Sequence, residues 1–146
     1  MNPDQTALLR ESWSCVTRNP DQLTVRFYGH LFEIDEDTAR LFAGVDMDAQ
    51  RAKLMHALTL VVDAVDDTDR LLPALAALGK RHAAYGIETR HFDIVADALL
   101  WALSDVLGDK FTPHVRESWA RAYRLIASVM LRALERQRDA ASKPLA

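Results

Sequence analysis

Signals for the start of an α-helix recur along this chain and leave little room for a sheet. The tetrapeptide NPDQ occurs at residues 2–5 and again at residues 19–22, and the pair TP stands at residues 112–113. Asparagine or threonine before proline is typical of a helix start, because the side-chain oxygen caps backbone N–H groups and proline tolerates the first helical position. Elsewhere apolar residues return every three or four positions, and no strand-like alternation stands apart from them. The sequence therefore predicts an all-α protein.

The predicted helices are bounded by caps, prolines and glycines. The first two begin at Pro3 and Pro20, and a short third helix follows an acidic segment and ends at Phe42. The fourth runs from about Asp46 to Val65, and the fifth begins or breaks at Pro73 and ends at Gly86. The sixth runs from a cap at Thr89 to Gly108, and the seventh begins at a cap at Thr112. Polarity rises after Glu135. The sequence predicts a single domain over residues 1–138 and a disordered tail over residues 139–146.

At 146 residues the chain is long enough to bury one apolar core. Hydrophobic residues make up 49% and charged residues 27%, which is typical of a globular protein rather than a membrane-spanning one. The formal net charge of −3 argues against nucleic acid as a partner. A single cysteine cannot form a disulfide within the chain, and the first residues lack the basic and apolar runs of a signal peptide. We therefore expect a cytoplasmic protein that binds neither nucleic acid nor a membrane.

Most of the common catalytic and metal-binding motifs are missing from the sequence. It contains no HExxH or CxxC metal motif, no GxSxG nucleophile turn and no glycine-rich phosphate loop. Cys15 lies on an amphipathic helix, where it is most simply a small core residue. Four histidines are predicted to lie beside apolar faces, at exposed positions or next to caps, and we assign them no function: His30, His56, His91 and His114.

Three polar residues stand out because each lies on an otherwise apolar stripe of a different helix. They are Tyr28, Gln50 and His82. Any one of them alone is most simply a buried polar group that finds a hydrogen bond. Burying all three in a small helical core costs stability unless they form hydrogen bonds with one another or interact with a bound group. A cofactor held between them would account for all three.

A family resemblance rests on six short stretches that occur in a fixed order. They are FYGHLF (27–32), ARLFAG (39–44), QRAKLM (50–55), LGKRHAAYGI (78–87), HFDIVADALL (91–100) and ESWARAY (117–123). Taken together, from about Leu8 to Met130, they resemble the globin family, specifically bacterial single-domain globins related to the haem domain of flavohaemoglobins, with a secondary likeness to neuroglobins. The resemblance implies a globin fold, with three helices packed on three around a pocket for haem b.

The resemblance also implies a role for each matching residue. His82 matches the proximal histidine that ligates the haem iron. Tyr28 and Gln50 match a distal pair that donates hydrogen bonds to dioxygen at the iron. Phe42 matches the phenylalanine that packs on the porphyrin face, and Leu54 matches the apolar residue that limits the space over the iron.

Two more residues are expected at the cofactor. Leu78 lies one turn before His82 on the same apolar stripe. Lys53 is placed to reach the haem propionates from the edge of the pocket.

The chain departs from the flavohaemoglobin pattern beside His82. Those domains have a tyrosine and a glutamate that hydrogen-bond around the proximal histidine, whereas this sequence has Phe92 and Leu134 at the matching positions. We therefore expect His82 to donate to a backbone carbonyl, which favours oxygen storage or sensing over peroxidase-like work. Gln50 also replaces the distal histidine of neuroglobins. Bis-histidyl coordination through position 50 is thus excluded, while Tyr28 or Lys53 could approach the iron.

The function implied by the resemblance is reversible binding of dioxygen, with nitric oxide and carbon monoxide as further ligands. Hydrogen-bond donors fixed in a water-poor pocket stabilise a ligand that gains negative charge, so tight oxygen binding is expected. A nitric oxide dioxygenase activity is implied as well. It would use a separate reductase, because the sequence has no dinucleotide-binding glycine motif. The alternatives are a haem-based gas or redox sensor that acts through a partner protein, and a haem-free helical module used for interaction.

Overall fold

Seven α-helices make up the part of the chain that the computed structural model describes, residues 1–142 apart from the side chains at 84, 141 and 142. They are α1 (Pro3–Val16), α2 (Pro20–Ile34), α3 (Glu36–Leu41), α4 (Met47–Ala64), α5 (Thr68–Ala84), α6 (Thr89–Leu107) and α7 (Pro113–Ser142), with a 3-10 turn at Gly108–Lys110. No strand occurs among residues 1–142. The all-α prediction is confirmed.

Side-chain caps fix two of the three helix starts that the sequence marks with a cap residue followed by proline. The Asn2 side chain accepts the Gln5 N–H at 2.8 Å, and Gln5 Oε1 accepts the Asn2 N–H in return at 3.1 Å. The Thr112 hydroxyl accepts the Val115 N–H at 3.3 Å. Asn19 makes no side-chain cap hydrogen bond, although α2 still begins at the proline that follows it. Local chemistry therefore sets most of the helix boundaries.

Two predicted helix starts are wrong by small displacements. Pro73 neither begins nor breaks its helix, because α5 begins at Thr68, where the Asp67 carboxylate accepts the Arg70 N–H at 3.3 Å. Glu88, not Thr89, is the N-cap of α6, and its N–H donates to His91 Nδ1 at 2.8 Å.

The last helix is longer than predicted. α7 continues through Ser142, so residues 139–142, which the sequence assigned to a tail, are helical. The turns beyond Glu135 contain Arg, Gln and Ala, which are good helix formers even where nothing apolar is buried. The rest of the predicted tail, residues 143–146, lies outside the described residues.

The helices pack in two layers of three. One layer contains α1, α4 and α5, and the other contains α2, α6 and α7; α1 and α5 pack on α7, and α4 packs on α2. The short α3 packs against α2. This is the three-on-three arrangement that the family resemblance implied.

The buried apolar side chains form two separate clusters. The larger one joins α1, α2, α4, α6 and α7 and includes Trp13, Tyr28 and Trp119. The smaller one joins α4, α5, α6 and α7 and includes Leu75, Phe92 and Leu134. α4 thus contributes to both clusters, whereas α5 contributes to the smaller one.

Candidate cofactor site

Tyr28 and Gln50 meet across the contact between α2 and α4. Tyr28 is 5% exposed, and its hydroxyl oxygen accepts a hydrogen bond from Gln50 Nε2 at 3.1 Å. Because the phenol oxygen is the acceptor in this pair, its own O–H remains able to donate to a third group. Burial raises the pKa of Tyr28, and the Gln50 hydrogen bond and the Arg51 charge lower it to a smaller extent. The phenol is therefore protonated at neutral pH and is a donor.

Aromatic and aliphatic side chains surround this phenol. The Phe42 ring lies 5.5 Å from the Tyr28 ring in an edge-to-face arrangement, and it lies 5.5 Å from the ring of Phe32. Phe42 takes this position because α3 ends there, with the Phe42 N–H bonded to the Ala39 carbonyl at 3.2 Å. Leu54, one turn after Gln50 on α4, packs on the same cluster. These residues form an apolar wall around two hydrogen-bonding groups.

His82 lies in the last turn of α5, where its ring is half-buried. Its Nδ1 is 2.7 Å from the Leu78 carbonyl oxygen. A carbonyl can only accept, so we assign the proton to Nδ1, which leaves the Nε2 lone pair free to bind a metal. Burial lowers the pKa of His82, an effect that the hydrogen bond to Leu78 partly offsets. The ring is therefore a neutral imidazole held in one orientation.

The two residues that replace the polar pair of flavohaemoglobins are buried and apolar. Phe92 and Leu134 are 8% and 0% exposed and belong to the smaller apolar cluster, on which Leu78 packs. The predicted hydrogen bond from His82 to a backbone carbonyl is confirmed, with Leu78 as the acceptor. An uncharged backbone acceptor makes the ring less electron-rich than a carboxylate would.

Two side-chain contacts outside the predicted site residues were missed by the sequence analysis. The Tyr123 hydroxyl donates to the Phe92 carbonyl oxygen at 2.6 Å and so ties α7 to the beginning of α6. Arg51 follows Gln50, pairs with Asp48, and has a side chain only 27% exposed. The Tyr123 contact joins residues 31 positions apart, which helical periodicity does not pair. The Arg51–Asp48 pair has the i,i+3 spacing of neighbours on one helix, so that spacing was the signal that could have found it.

The predicted residues fall into two groups in space. Tyr28, Phe42, Gln50 and Leu54 lie together on one side, and Leu78 and His82 lie on α5, which packs on α4. Lys53 is exposed on α4. Its contact with a cofactor stays a prediction.

Two other histidines, His91 and His30, have contacts that explain their positions without a cofactor. His91 is 4% exposed; its Nδ1 accepts the Glu88 N–H, and its Nε2 has no hydrogen-bond partner within the described part of the chain. His30 stacks on Trp101 with ring centroids 4.0 Å apart. Among residues 1–142, no group of three or more His, Cys, Asp or Glu side chains could hold a metal ion.

Haem fits this set of residues. The four ring nitrogens of a porphyrin leave the iron in need of axial ligands, and His82 offers its neutral Nε2, which the hydrogen bond from Nδ1 to Leu78 does not use. Half-buried apolar side chains suit a flat apolar macrocycle, and three of them occur at the site: Phe42, Leu54 and Leu78. Cationic side chains such as Lys53 suit its carboxylates. In the described part of the chain, no helix has the length and apolar character needed to span a membrane.

The comparisons with known proteins agree on one family. A family model described as Globin matches residues 25–130. A flavohemoprotein from Bacillus subtilis is 27% identical over 126 residues, and a neuroglobin from Danio rerio is 28% identical over 138 residues. The match covers 85% of this chain but 32% of the flavohemoprotein, so the chain spans about a third of that relative; for the neuroglobin the coverage is 86% and 87%.

The fold has a close counterpart among solved structures. A crystal structure of a hexacoordinated heme protein from an anhydrobiotic tardigrade superposes with a TM-score of 0.82. The superposition covers 92% of this chain and 96% of that one, at 18% sequence identity. The likeness at this identity is one of fold.

Proposed function

The chain belongs to the globin family of haem proteins, and from that premise we propose that it holds haem b through His82 and reversibly binds dioxygen beside Tyr28 and Gln50. The observation that carries the proposal is the hydrogen bond from Gln50 to the Tyr28 oxygen, which leaves the phenol O–H as a donor inside an apolar wall. Haem, when bound, supplies the iron that takes up the gas.

The residues on the His82 side hold and orient the proposed ligand. The Leu78 carbonyl accepts a hydrogen bond from Nδ1–H, so Nε2 presents its lone pair at all pH values where the ring is neutral. Burial lowers the pKa of the ring, which widens this range on the acid side. His82 thus needs no deprotonation at neutral pH before it can bind iron.

The residues on the Tyr28 side stabilise a ligand that gains negative charge. Tyr28 donates its O–H, and Gln50 both fixes the phenol and keeps a second N–H available from its amide. Such donors are worth most where water is excluded, since they need no reorganisation when the charge develops. Tyr28 and Gln50 therefore favour slow loss of dioxygen.

We further propose a nitric oxide dioxygenase activity that depends on a separate reductase. Nitric oxide and dioxygen combine with one electron to give nitrate, so each turnover needs an electron from outside the site. The apolar residues Phe42 and Leu54 keep water from the reacting gases while Tyr28 holds the oxygen. Similarity to a third of a flavohemoprotein supports this step.

A second candidate is a gas or redox sensor that acts through a partner protein. It is favoured by Phe92 and Leu134, because an apolar environment with a backbone acceptor gives His82 less electron density to push onto the iron than a carboxylate network would. That arrangement suits binding more than oxidation of a substrate.

One experiment tests dioxygen binding and the dioxygenase step together. Reduced, haem-loaded protein is equilibrated with oxygen and mixed with nitric oxide in a stopped-flow instrument, and the spectrum and nitrate yield are recorded. We expect a stable oxygenated spectrum that converts to the ferric one with about one nitrate per haem. Immediate autoxidation without an oxygenated spectrum would contradict the proposal. A stable oxygenated spectrum without nitrate, with a partner captured by the oxygenated and not by the ferric protein, would favour the sensor.

A further inference from the structure

The backbone of α5 lies directly on the backbone of α7 at Gly79. A Cβ added at Gly79 would lie 2.6 Å from the Met130 carbonyl oxygen and 2.8 Å from Ala133 Cβ. Gly79 has an ordinary helical conformation, so its missing side chain serves the close approach of the two helices. Gly79 lies three residues before His82 and directly after Leu78, whose carbonyl accepts the hydrogen bond from His82 Nδ1–H.

A second contact with α7 follows His82. The Arg138 guanidinium, in the last turns of α7, donates to the Ile87 carbonyl oxygen. Ile87 comes directly after Gly86, where the chain turns with φ of 78° to leave α5. α7 therefore contacts the chain both before and after the turn that contains His82.

These two contacts matter because the residues at the positions of the flavohaemoglobin tyrosine and glutamate are apolar in this chain. Phe92 and Leu134 have no polar atom in their side chains, so they cannot orient the imidazole by hydrogen bonding. The acceptor that does so is the Leu78 carbonyl, which is part of the α5 backbone. The direction of the imidazole then follows the position of that backbone. Contacts that hold the backbone of α5 against α7 therefore also hold the His82 imidazole in its orientation.

We propose that Gly79 and Arg138 are positioning residues for His82. Together they form a clamp that holds the turn carrying His82 against α7, with one contact before His82 in the chain and one after it. The inference rests on the proposed function, in which His82 ligates haem iron. Gly79 sets how closely α5 approaches α7. Arg138 holds the corner that follows α5. Neither residue touches the iron, and both act through the α5 backbone.

The experiment compares matched pairs of variants. Arg138→Ala is paired with Arg136→Ala, an exposed arginine two residues earlier on α7, and Arg138→Lys keeps a donor at the same place. Gly79→Ala is paired with Gly29→Ala, since a Cβ added at Gly29 on α2 meets none of the described side chains within 4 Å. The readouts are the iron–histidine stretching band of the ferrous protein, the rate of haem transfer to an excess of acceptor, and unfolding of the haem-free protein.

We expect Arg138→Ala to shift the band and to speed haem loss about twofold to tenfold, the range for one hydrogen bond at a surface. Arg138→Lys should restore most of the wild-type rate, and Arg136→Ala should match wild type. Gly79→Ala should shift the band and raise the unfolding equilibrium constant of the haem-free protein by roughly fivefold to 150-fold, because neither Met130 nor Ala133 can move away without displacing α7. Gly29→Ala should lower that constant about twofold to fivefold.

The outcomes separate this inference from the proposed function. A histidine-type band in wild type that is unchanged in both Arg138→Ala and Gly79→Ala overturns the clamp and leaves haem ligation by His82 intact. Absence of that band from wild type overturns ligation itself. If Gly79→Ala does not fold, the Arg138 variants decide: a shifted band restored by Arg138→Lys supports the clamp, and wild-type behaviour of Arg138→Ala overturns it.

Discussion

Replacing Tyr28 with phenylalanine removes one oxygen atom from the proposed ligand pocket and leaves the ring in place. The Tyr28 hydroxyl is buried, accepts from Gln50 at 3.1 Å, and retains its O–H for a ligand. A hydrogen bond to a charged group contributes about 1.5–3 kcal/mol. Each 1.36 kcal/mol is a factor of ten in rate, so Tyr28→Phe should speed dioxygen dissociation by about 10-fold to 150-fold.

The assay is a stopped-flow measurement in which carbon monoxide replaces dioxygen on the ferrous protein. Tyr123→Phe is the matched control, because it also removes a half-buried hydroxyl that has a hydrogen bond, in this case to the Phe92 carbonyl at 2.6 Å. That control should lose about 1 kcal/mol of unfolding free energy and keep the wild-type dissociation rate. A dissociation rate of Tyr28→Phe equal to that of wild type would refute the reasoning and leave Gln50 or water as the donor. Equal acceleration in both variants would show a general effect of stability.

Two other predictions concern the pH dependence of unfolding and a buried hydrogen bond in the core. Burial lowers the pKa of His82 from its usual 6.5, so the unfolded chain binds a proton more readily than the folded one, and the unfolding free energy of the haem-free protein should fall as the pH drops through about 6.5. Denaturant titrations at several pH values check this, and His82→Gln should flatten that part of the profile; an equal slope in both proteins would contradict it. Trp119 Nε1 donates to the buried Ser12 hydroxyl at 2.9 Å, so Trp119→Phe should lower the unfolding free energy by about 1–3 kcal/mol, whereas Trp101→Phe at an exposed position should have a smaller effect. Equal losses in the two tryptophan variants would count against the role of that hydrogen bond.

The helical fold could be predicted because its starts are local. Asn2 and Thr112 cap helices through atoms three residues away, and such contacts are written in short stretches of sequence. The wrong predictions of helix starts arose where two local signals compete. At Pro73 the missing N–H suggested a break, but the Asp67 cap six residues earlier and the packing of α5 on α7 keep the helix continuous.

The candidate site could be predicted only in part from the sequence. Periodicity placed Tyr28, Gln50 and His82 on inward faces, and the replacement of a polar pair by Phe92 and Leu134 predicted a backbone acceptor for His82. The hydrogen bond between Tyr28 and Gln50 depends on how α2 crosses α4, which no single helix determines. The contact of Gly79 with α7 has the same origin, because a glycine inside a helix gives no sign of which neighbour comes close.

The central claim is that His82 binds haem iron, and the visible spectrum of one variant tests it most directly. Wild type, His82→Gly and the exposed control His56→Ala are loaded with equimolar haem, reduced, and treated with carbon monoxide. We predict that wild type and His56→Ala give the same strong Soret band, which shifts on addition of carbon monoxide, that His82→Gly loses this spectrum, and that added imidazole restores it. A wild-type spectrum from His82→Gly without imidazole would contradict the claim.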